Sequence, residues 1–372
     1  MKIAIVHDWL NQIGGAELVL EVLHELFPEA PIYTSMYDPD LMPPAYRGWD
    51  IRTTFMQRLP GVTRRHQAFL PVYPIAFGGL DLSAYDLVLS NTSGFGHIVR
   101  PRPDAVHINY CLTPPRFLYQ PDAYLARERV PAAGRLALRP FIVALRCVDR
   151  TARWRVTRFV GISRAVVDRI RRVYDRPADL IYPPVRTDRF PPGRGAGEYF
   201  LIVSRLIPYK RVDLAVRAFT TLGKPLVIVG DGRDRATLEA LAGPTVRFLG
   251  RVPDTDLADL VGNCRAFVFP GEEDFGIAPI EAQAAGRPVI AFAGGGALET
   301  VIEGQTGRFF DRPDPESLIG AVERLEADRY DPAAIRAHAR AFDIAVFRDR
   351  ITRLVAEARV GHARDHAFLP TA

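Results

Sequence analysis

One feature constrains the fold more than any other: a pattern that starts at the amino terminus and later starts again. Short apolar runs rich in Val and Ile occur at 2–6 (KIAIV), 85–90 (YDLVLS), 105–111 (AVHINYC) and 158–163 (RFVGIS). The first leads through a loop to the helical pattern AELVLEVLHELF at 16–27, and the last into RAVVDRIRRVY, with Ser163 placed as its N-cap. A proline- and glycine-crowded segment, YPPVRTDRFPPGRGAGE at 182–198, then reads as a linker. Beyond it come YFLIVS (199–204), PLVIVG (225–230), VRFLG (246–250), AFVFP (266–270) and PVIAF (288–292), again alternating with helical patterns. Continuous apolar strands separated by helices define a parallel α/β sheet covered on both faces. A chain of 372 residues suits two such domains rather than one core.

The expectation is an α/β chain of two similar halves facing each other across a cleft. It has an amino-terminal domain at 1–180, a second at 181–342, and a tail at 343–372. The tail has apolar residues at helical spacing (Ile344, Phe347, Ile351, Leu354, Val355) and is expected to pack back on the first half.

The three cysteines, Cys111, Cys147 and Cys264, lie far apart without metal spacing, which reads as reduced thiols in a cytoplasmic chain. A strand pattern follows the first methionine almost at once, so no secretory signal is expected, and no apolar run is long enough to cross a bilayer. The net charge is only +5, but 14 arginines against four acids fall between Arg127 and Arg176. Aromatics there are sparse and no nucleic-acid motif accompanies them, so nucleic acid is not the expected partner. Within that stretch RLALRPFIVALRCVDRTARWRVTRF mixes arginines with apolar residues at roughly helical spacing. Such a surface suits peripheral contact with anionic lipid, on the inner face of the membrane.

In open α/β sheets, ligands bind beyond the carboxyl ends of the strands. The loop after the first run holds Gly14 and Gly15 just before a helix, where the backbone can approach a ligand and free N–H groups favour an anion. The loop SRLIPYKRVDL at 204–214 holds Arg205 and Lys210, two cations able to hold a diphosphate. Lys210 is one of three lysines against 45 arginines, which hints at a use for a compact ammonium. AFVFP exits into GEEDFG, and the helix PIEAQAAG follows, with Pro279 and Glu281 placed in its first turn. Glu273, Glu281 and the N–H groups around Gly276 and Ile277 can then converge on one ligand. The carboxylates would accept from sugar or ribose hydroxyls.

The order Gly14-Gly15, Ser204-Arg205…Lys210, then Glu273-x7-Glu281 around Phe275-Gly276-Ile277, resembles retaining glycosyltransferases of family 4, which have the GT-B fold of two Rossmann-like domains. SRAVVDRI, IYPPVRTDRF, VGDG at 229–232 and EGQTGRFF at 303–310 extend the resemblance over nearly the whole chain. It implies a nucleotide-sugar donor bound mainly by the second half and an acceptor held by the first. Arg205 and Lys210 would neutralise the departing diphosphate, Glu281 would bind ribose hydroxyls, and Glu273 would contact donor-sugar hydroxyls. Phe275, Gly276 and Ile277 would line the sugar and diphosphate pocket. Arg251 and Val252, in LGRVPD, would lie near the base, Gly14 near the donor, and Gly15 at the border of the diphosphate and the acceptor.

The family is thought to attack from the leaving-group face, so Glu273 is not assigned as a nucleophile. Preorganised cations and N–H groups supply the stabilisation. The HDW…GGAE opening and TPPRF resemble bacterial polysaccharide-assembly enzymes, many of them mannosyltransferases that use GDP-mannose and glycosylate lipid-linked sugars. The implied activity is metal-independent transfer of a hexose, mannose first, to a glycan or lipid-linked acceptor, with no cofactor. The alternatives are a UDP-sugar-dependent enzyme of the same fold and a non-catalytic nucleotide-sugar-binding protein.

One position departs from the pattern. Relatives carry histidine where NYCLTPPRF has Leu112; His97 is the first substitute and Arg116 the second, with Arg116 and Tyr110 assigned to the acceptor. Asp38-Pro-Asp40 and Asp254-Thr-Asp256 match the Asp-x-Asp pair of metal-dependent glycosyltransferases, but both sit in polar loops and Asp254 would serve as a helix cap. No metal ligands are assigned. A dinucleotide oxidoreductase would need G-x-G-x-x-G after the first strand, which is absent.

Overall fold

A computed structural model describes residues 1–122, 125, 131–193, 195 and 197–367, without the side chains of 132, 133 and 361–367. Contacts divide the chain into two compact units, Met1–Tyr182 with Phe347–Ala372, and Pro183–Val346.

The first unit is built on a seven-stranded sheet in the order β3-β2-β1-β4-β5-β6-β7, with every pairing parallel. The strands are β1 (Ile3–His7), β2 (Ile32–Thr34), β3 (Ile51–Thr53), β4 (Leu87–Thr92), β5 (Val106–Cys111), β6 (Arg158–Gly161) and β7 (Ala178–Leu180). β4 and β5 are buried along their whole length, including the polar Ser90, Asn91, Thr92, His107 and Asn109, as a sheet covered on both faces requires. Helices of this unit among the described residues include α1 (Gly15–Leu26), α2 (Tyr73–Gly78), α3 (Arg116–Tyr119), α4 (Ala132–Thr151) and α5 (Arg164–Tyr174). Ser163 caps α5 as its sequence predicts, its hydroxyl accepting from the Val166 N–H at 3.2 Å.

The second unit holds a six-stranded parallel sheet in the order β10-β9-β8-β11-β12-β13. Its strands are β8 (Phe200–Val203), β9 (Leu226–Val229), β10 (Val246–Gly250), β11 (Ala266–Phe269), β12 (Val289–Phe292) and β13 (Gly307–Phe310). Around it lie α6 (Val212–Leu222), α7 (Arg235–Leu241), α8 (Asp254–Asn263), α9 (Ile277–Ala284), α10 (Ala297–Thr300), α11 (Pro315–Ala327) and α12 (Pro332–Ala339). Phe200, Ile202, Leu226, Ile228 and Val268 of the sheet pack with Ala215, Phe219, Leu318 and Val322 of α6 and α11 into one core.

The last helix, α13 (Ile344–Ala367), starts in the second unit and contributes most of its length to the first. There Phe347 packs edge-on against Tyr110, and Arg348 pairs with Glu25. Among the described residues no helix is long and apolar enough to cross a membrane.

Candidate active site

Strand order locates the site in the second unit. β8 leads on one side to β9 and β10, and its other neighbour is β11, so the winding reverses between β8 and β11. Loops diverge at such a point and leave a crevice at the carboxyl ends of the strands. The loop leaving β8 carries Arg205 and Lys210, and the loop leaving β11 carries Glu273.

These loops meet. The Lys210 ammonium pairs with the Glu273 carboxylate, and both side chains are largely withdrawn from solvent. A tight 3-10 turn, Pro208–Lys210, presents the lysine, whose ammonium lies 5.3 Å from the centre of the Tyr209 ring. Arg205 is exposed at the strand exit. The close approach of the two loops is built on Gly271, where a Cβ would come within 2.8 Å of the Lys210 carbonyl oxygen. A third loop, after β12, closes the same corner: the Gly296 N–H donates to the Glu273 carbonyl at 2.8 Å.

Gly276 takes φ +92°, a region open to glycine, and a Cβ there would strike the Phe269 ring at 2.7 Å. It is the N-cap of α9 and has no side chain to occupy the first N–H groups of the helix. Phe275 is buried against Phe342, so its contribution to a ligand comes from its backbone.

The structure corrects the start of this helix. α9 begins at Ile277, not Pro279, so Glu281 stands in the second turn. Pro279 still falls where an N–H would have no intrahelical partner. Glu281 is half-buried, and burial pushes its carboxyl up to about 7, a rise opposed by Arg189 and reinforced by Asp254. Asp254 is the first residue of α8 rather than its cap, and it pairs with Arg189. Exposed Arg251 and half-buried Val252 lie just past β10.

The first unit has its own reversal, between β1 and β4. Gly14 and Gly15 are exposed at the start of α1, which has no side-chain cap. Behind them lies a buried polar chain that the sequence did not announce. The Asn91 amide donates to the Ala16 carbonyl and lies 3.2 Å from His7 Nδ1, so Nδ1 accepts and His7 Nε2 donates to Glu17 at 3.3 Å. Asp8 accepts from the Ser93, Gly94 and Gly96 N–H groups at 2.6, 2.7 and 2.8 Å, fixing the loop after β4. The one available signal was polar residues, His7 and Asp8, at the end of an otherwise apolar strand.

Two assignments in this unit need correction. His97 is buried, with its Nε2 3.1 Å from the buried Asp149 carboxylate and 3.4 Å from the Tyr174 hydroxyl. An imidazole enclosed in this way does not reach a donor sugar. Tyr110 is also interior: its hydroxyl donates to the Ile181 carbonyl at 3.0 Å, so it is not an acceptor-facing group. Arg116, the first residue of α3, is half-buried, as is Leu112. Of the basic stretch, residues 126–130, with Arg127 and Arg129, lie outside the described residues.

Two parallel α/β units, each with its polar loops gathered at a strand-order reversal, define a pair of Rossmann-like domains, the GT-B architecture. Solved structures share it. HepE from Anabaena, solved in complex with UDP-glucose, matches with TM-score 0.71 and 17% identity over 96% of this chain and 100% of its own. Sucrose-phosphate synthase from Thermosynechococcus elongatus matches with TM-score 0.72 and 20% identity over 97% and 100%.

Residues 185–342 match the family described as glycosyl transferases group 1. The chain resembles mannosyltransferases. One relative is the GDP-mannose-dependent alpha-(1-6)-phosphatidylinositol monomannoside mannosyltransferase of Mycolicibacterium smegmatis. It is 33% identical over 183 residues, which make up 41% of this chain and 48% of the relative. Another is the D-inositol 3-phosphate glycosyltransferase of Acidothermus cellulolyticus, 29% identical over 72% of this chain and 70% of its own. The chain thus spans about half the length of the first of these and more of the second.

Proposed function

We propose that the chain is a retaining hexosyltransferase that takes mannose from GDP-mannose to a glycan or lipid-linked sugar, without a metal ion or other cofactor. The observation that carries this reading is the Lys210–Glu273 pair at the β8/β11 reversal, beside Arg205 and the uncapped start of α9. Breaking an anomeric C–O bond builds positive charge on the sugar and negative charge on the leaving diphosphate. Lys210, held by Glu273, and the N–H groups around Gly276 and Ile277 are fixed donors for that negative charge, with Arg205 as a second cation, so little reorganisation is needed as it develops.

Glu273 has two tasks in this scheme. It orients the Lys210 ammonium and accepts from a hydroxyl of the donor sugar. A carboxylate already committed to a lysine is a poor nucleophile, which favours attack from the leaving-group face over a covalent intermediate. Glu281 accepts from the ribose hydroxyls, and Arg251 and Val252 border the base. In the first unit, the uncapped start of α1 at Gly14 and Gly15 offers N–H groups to an anion. Arg116 belongs to the acceptor side. Peripheral contact with an anionic membrane surface in the cytoplasm completes the reading.

The Mycolicibacterium relative, a GDP-mannose-dependent phosphatidylinositol monomannoside mannosyltransferase, supports GDP-mannose and a lipid-borne acceptor. A UDP-sugar is the second reading, favoured by the complex of Anabaena HepE with UDP-glucose. The test is nucleoside diphosphate release from a panel of nucleotide sugars in EDTA, with and without mannoside or lipid-linked acceptors. GDP-mannose is expected to react fastest, and Lys210→Ala to lower turnover by about a hundredfold or more. Release that needs a divalent ion, or an undiminished Lys210→Ala variant, would contradict the mechanism. Binding without any turnover would instead indicate a nucleotide-sugar-binding protein.

A further inference from the structure

We infer that α4, with Trp154 just beyond its end, is an interfacial helix that lies on an anionic phospholipid surface and holds the acceptor segment Thr113–Arg116 beside it. The inference rests on the membrane contact proposed above and assigns it to an element. α4 packs by one narrow face: Ile142, Leu145 and Arg146 are half-buried and Asp149 is fully buried. Around the rest of the helix large apolar groups stand in water. Leu136 is 64% exposed, Phe141 61% and Trp154 71%, with Val143 and Val148 also exposed.

Spacing sorts these groups into ridges. Ala137, Phe141, Ala144 and Val148, separated by four, three and four residues, run along one line of the helix and are all exposed. Arg139 and Arg150, eleven residues apart, share another exposed line. The sequence of α4 has a single acid, Asp149, and it faces inward. The apolar line and the arginine line stand at opposite borders of the exposed surface, with Val143 and Leu136 between them next to the arginines. A broad apolar face edged by arginines, with no exposed carboxylate, matches an interfacial helix, with apolar groups sunk into the acyl boundary and guanidinium groups reaching phosphates. Trp154, with Arg153 4.5 Å from its ring centre, suits the headgroup level. A second copy of the chain is a poorer occupant, because a symmetric contact would set the same acid-free basic ridge against itself.

The packed face ties this surface to the acceptor segment. Arg146 Nε donates to the Leu118 carbonyl, and the Tyr119 hydroxyl donates to Asp149 at 2.6 Å. Leu118 and Tyr119 belong to α3, whose first residue is Arg116. Arg169 of α5 donates in turn to the Thr113 hydroxyl. A membrane-borne acceptor would therefore meet Arg116 next to the helix that holds the lipid.

The test is cosedimentation of the full chain with phosphatidylcholine vesicles, with and without about a third phosphatidylglycerol, together with hydrogen exchange on the same vesicles. The wild type is expected to bind the anionic vesicles, with exchange slowed in α3 and α4. Arg139→Gln/Arg150→Gln is expected to weaken binding about 30-fold. Leu136→Ser/Phe141→Ser should weaken it about tenfold or more. Both pairs are exposed, and titration with GDP-mannose and UDP-glucose checks that the variants remain folded and bind donor as the wild type does. Vesicle binding unchanged by both double variants, protection confined to other segments, or a wild-type dimer that Phe141→Ser splits would overturn the inference. Failure of the wild type to bind any nucleotide sugar would strike at the donor reading alone, since the vesicle result does not depend on it.

Discussion

Glu281 carries the most informative charge in the site. Burial raises its carboxyl to about 7, above its ordinary value of 4.5. The folded chain therefore holds that proton more tightly than the unfolded chain. The resulting stability is present in full below the ordinary carboxyl range and is lost as pH rises through about 7. An ionised carboxylate is the stronger acceptor for hydroxyl donors, so donor affinity should move the opposite way, rising from pH 6 to 8. The diphosphate of a nucleotide sugar has no ionisation in that range to confuse the reading. Glu281→Gln is expected to flatten both slopes and to bind donor more weakly at pH 8, measured by titration calorimetry and thermal unfolding across pH. A wild-type affinity that is level from pH 6 to 8 would show that Glu281 does not receive the ribose.

Which side chains matter was partly legible at this scale. Lys210 and the glutamate pair stood out because charged residues were placed directly after apolar strands. His97 and Tyr110 were misjudged because polar residues near strand ends look alike until packing shows which side they face. Asp149, far away in sequence on α4, encloses His97, and no local pattern predicts that meeting.

Among elements, strands such as β1, β8 and β9 were readable because burial on both faces leaves a nearly unbroken run of Val, Ile and Leu. β2, β3 and β7 were not, being three residues each, with β3 and β7 at the edges of the sheet. β13, Gly307–Phe310, was seen only as a motif. The start of α9 was misplaced because Pro279 is a common first-turn residue, whereas Gly276 at positive φ is what sets the helix boundary. Gly294, Gly295 and Gly296 were overlooked although they hold the third loop in place. A Cβ at Gly296 would lie 2.3 Å from the Phe275 Cα, backbone that cannot swing aside. Gly296→Ala is expected to cost about 1–3 kcal/mol in unfolding free energy and to weaken donor binding by displacing Glu273. A variant of wild-type stability and affinity, by denaturant titration and calorimetry, would mean that this loop does not position the site.

At the scale of the whole molecule, two units with separate sheets were legible from a pattern that restarts after a proline-rich linker. The α13 crossover, which gives Phe347 onward to the first unit, rests on contacts such as Phe347 with Tyr110 that pair distant parts of the chain. The account places donor recognition mainly at one reversal of strand order, in the second unit. Hydrogen exchange with and without saturating nucleotide sugar tests that most directly. The account predicts that amides in 204–211, 271–281 and 294–296 slow together, and that Lys210→Ala abolishes the effect. Protection confined to the first unit, or protection that survives in Lys210→Ala, would contradict it.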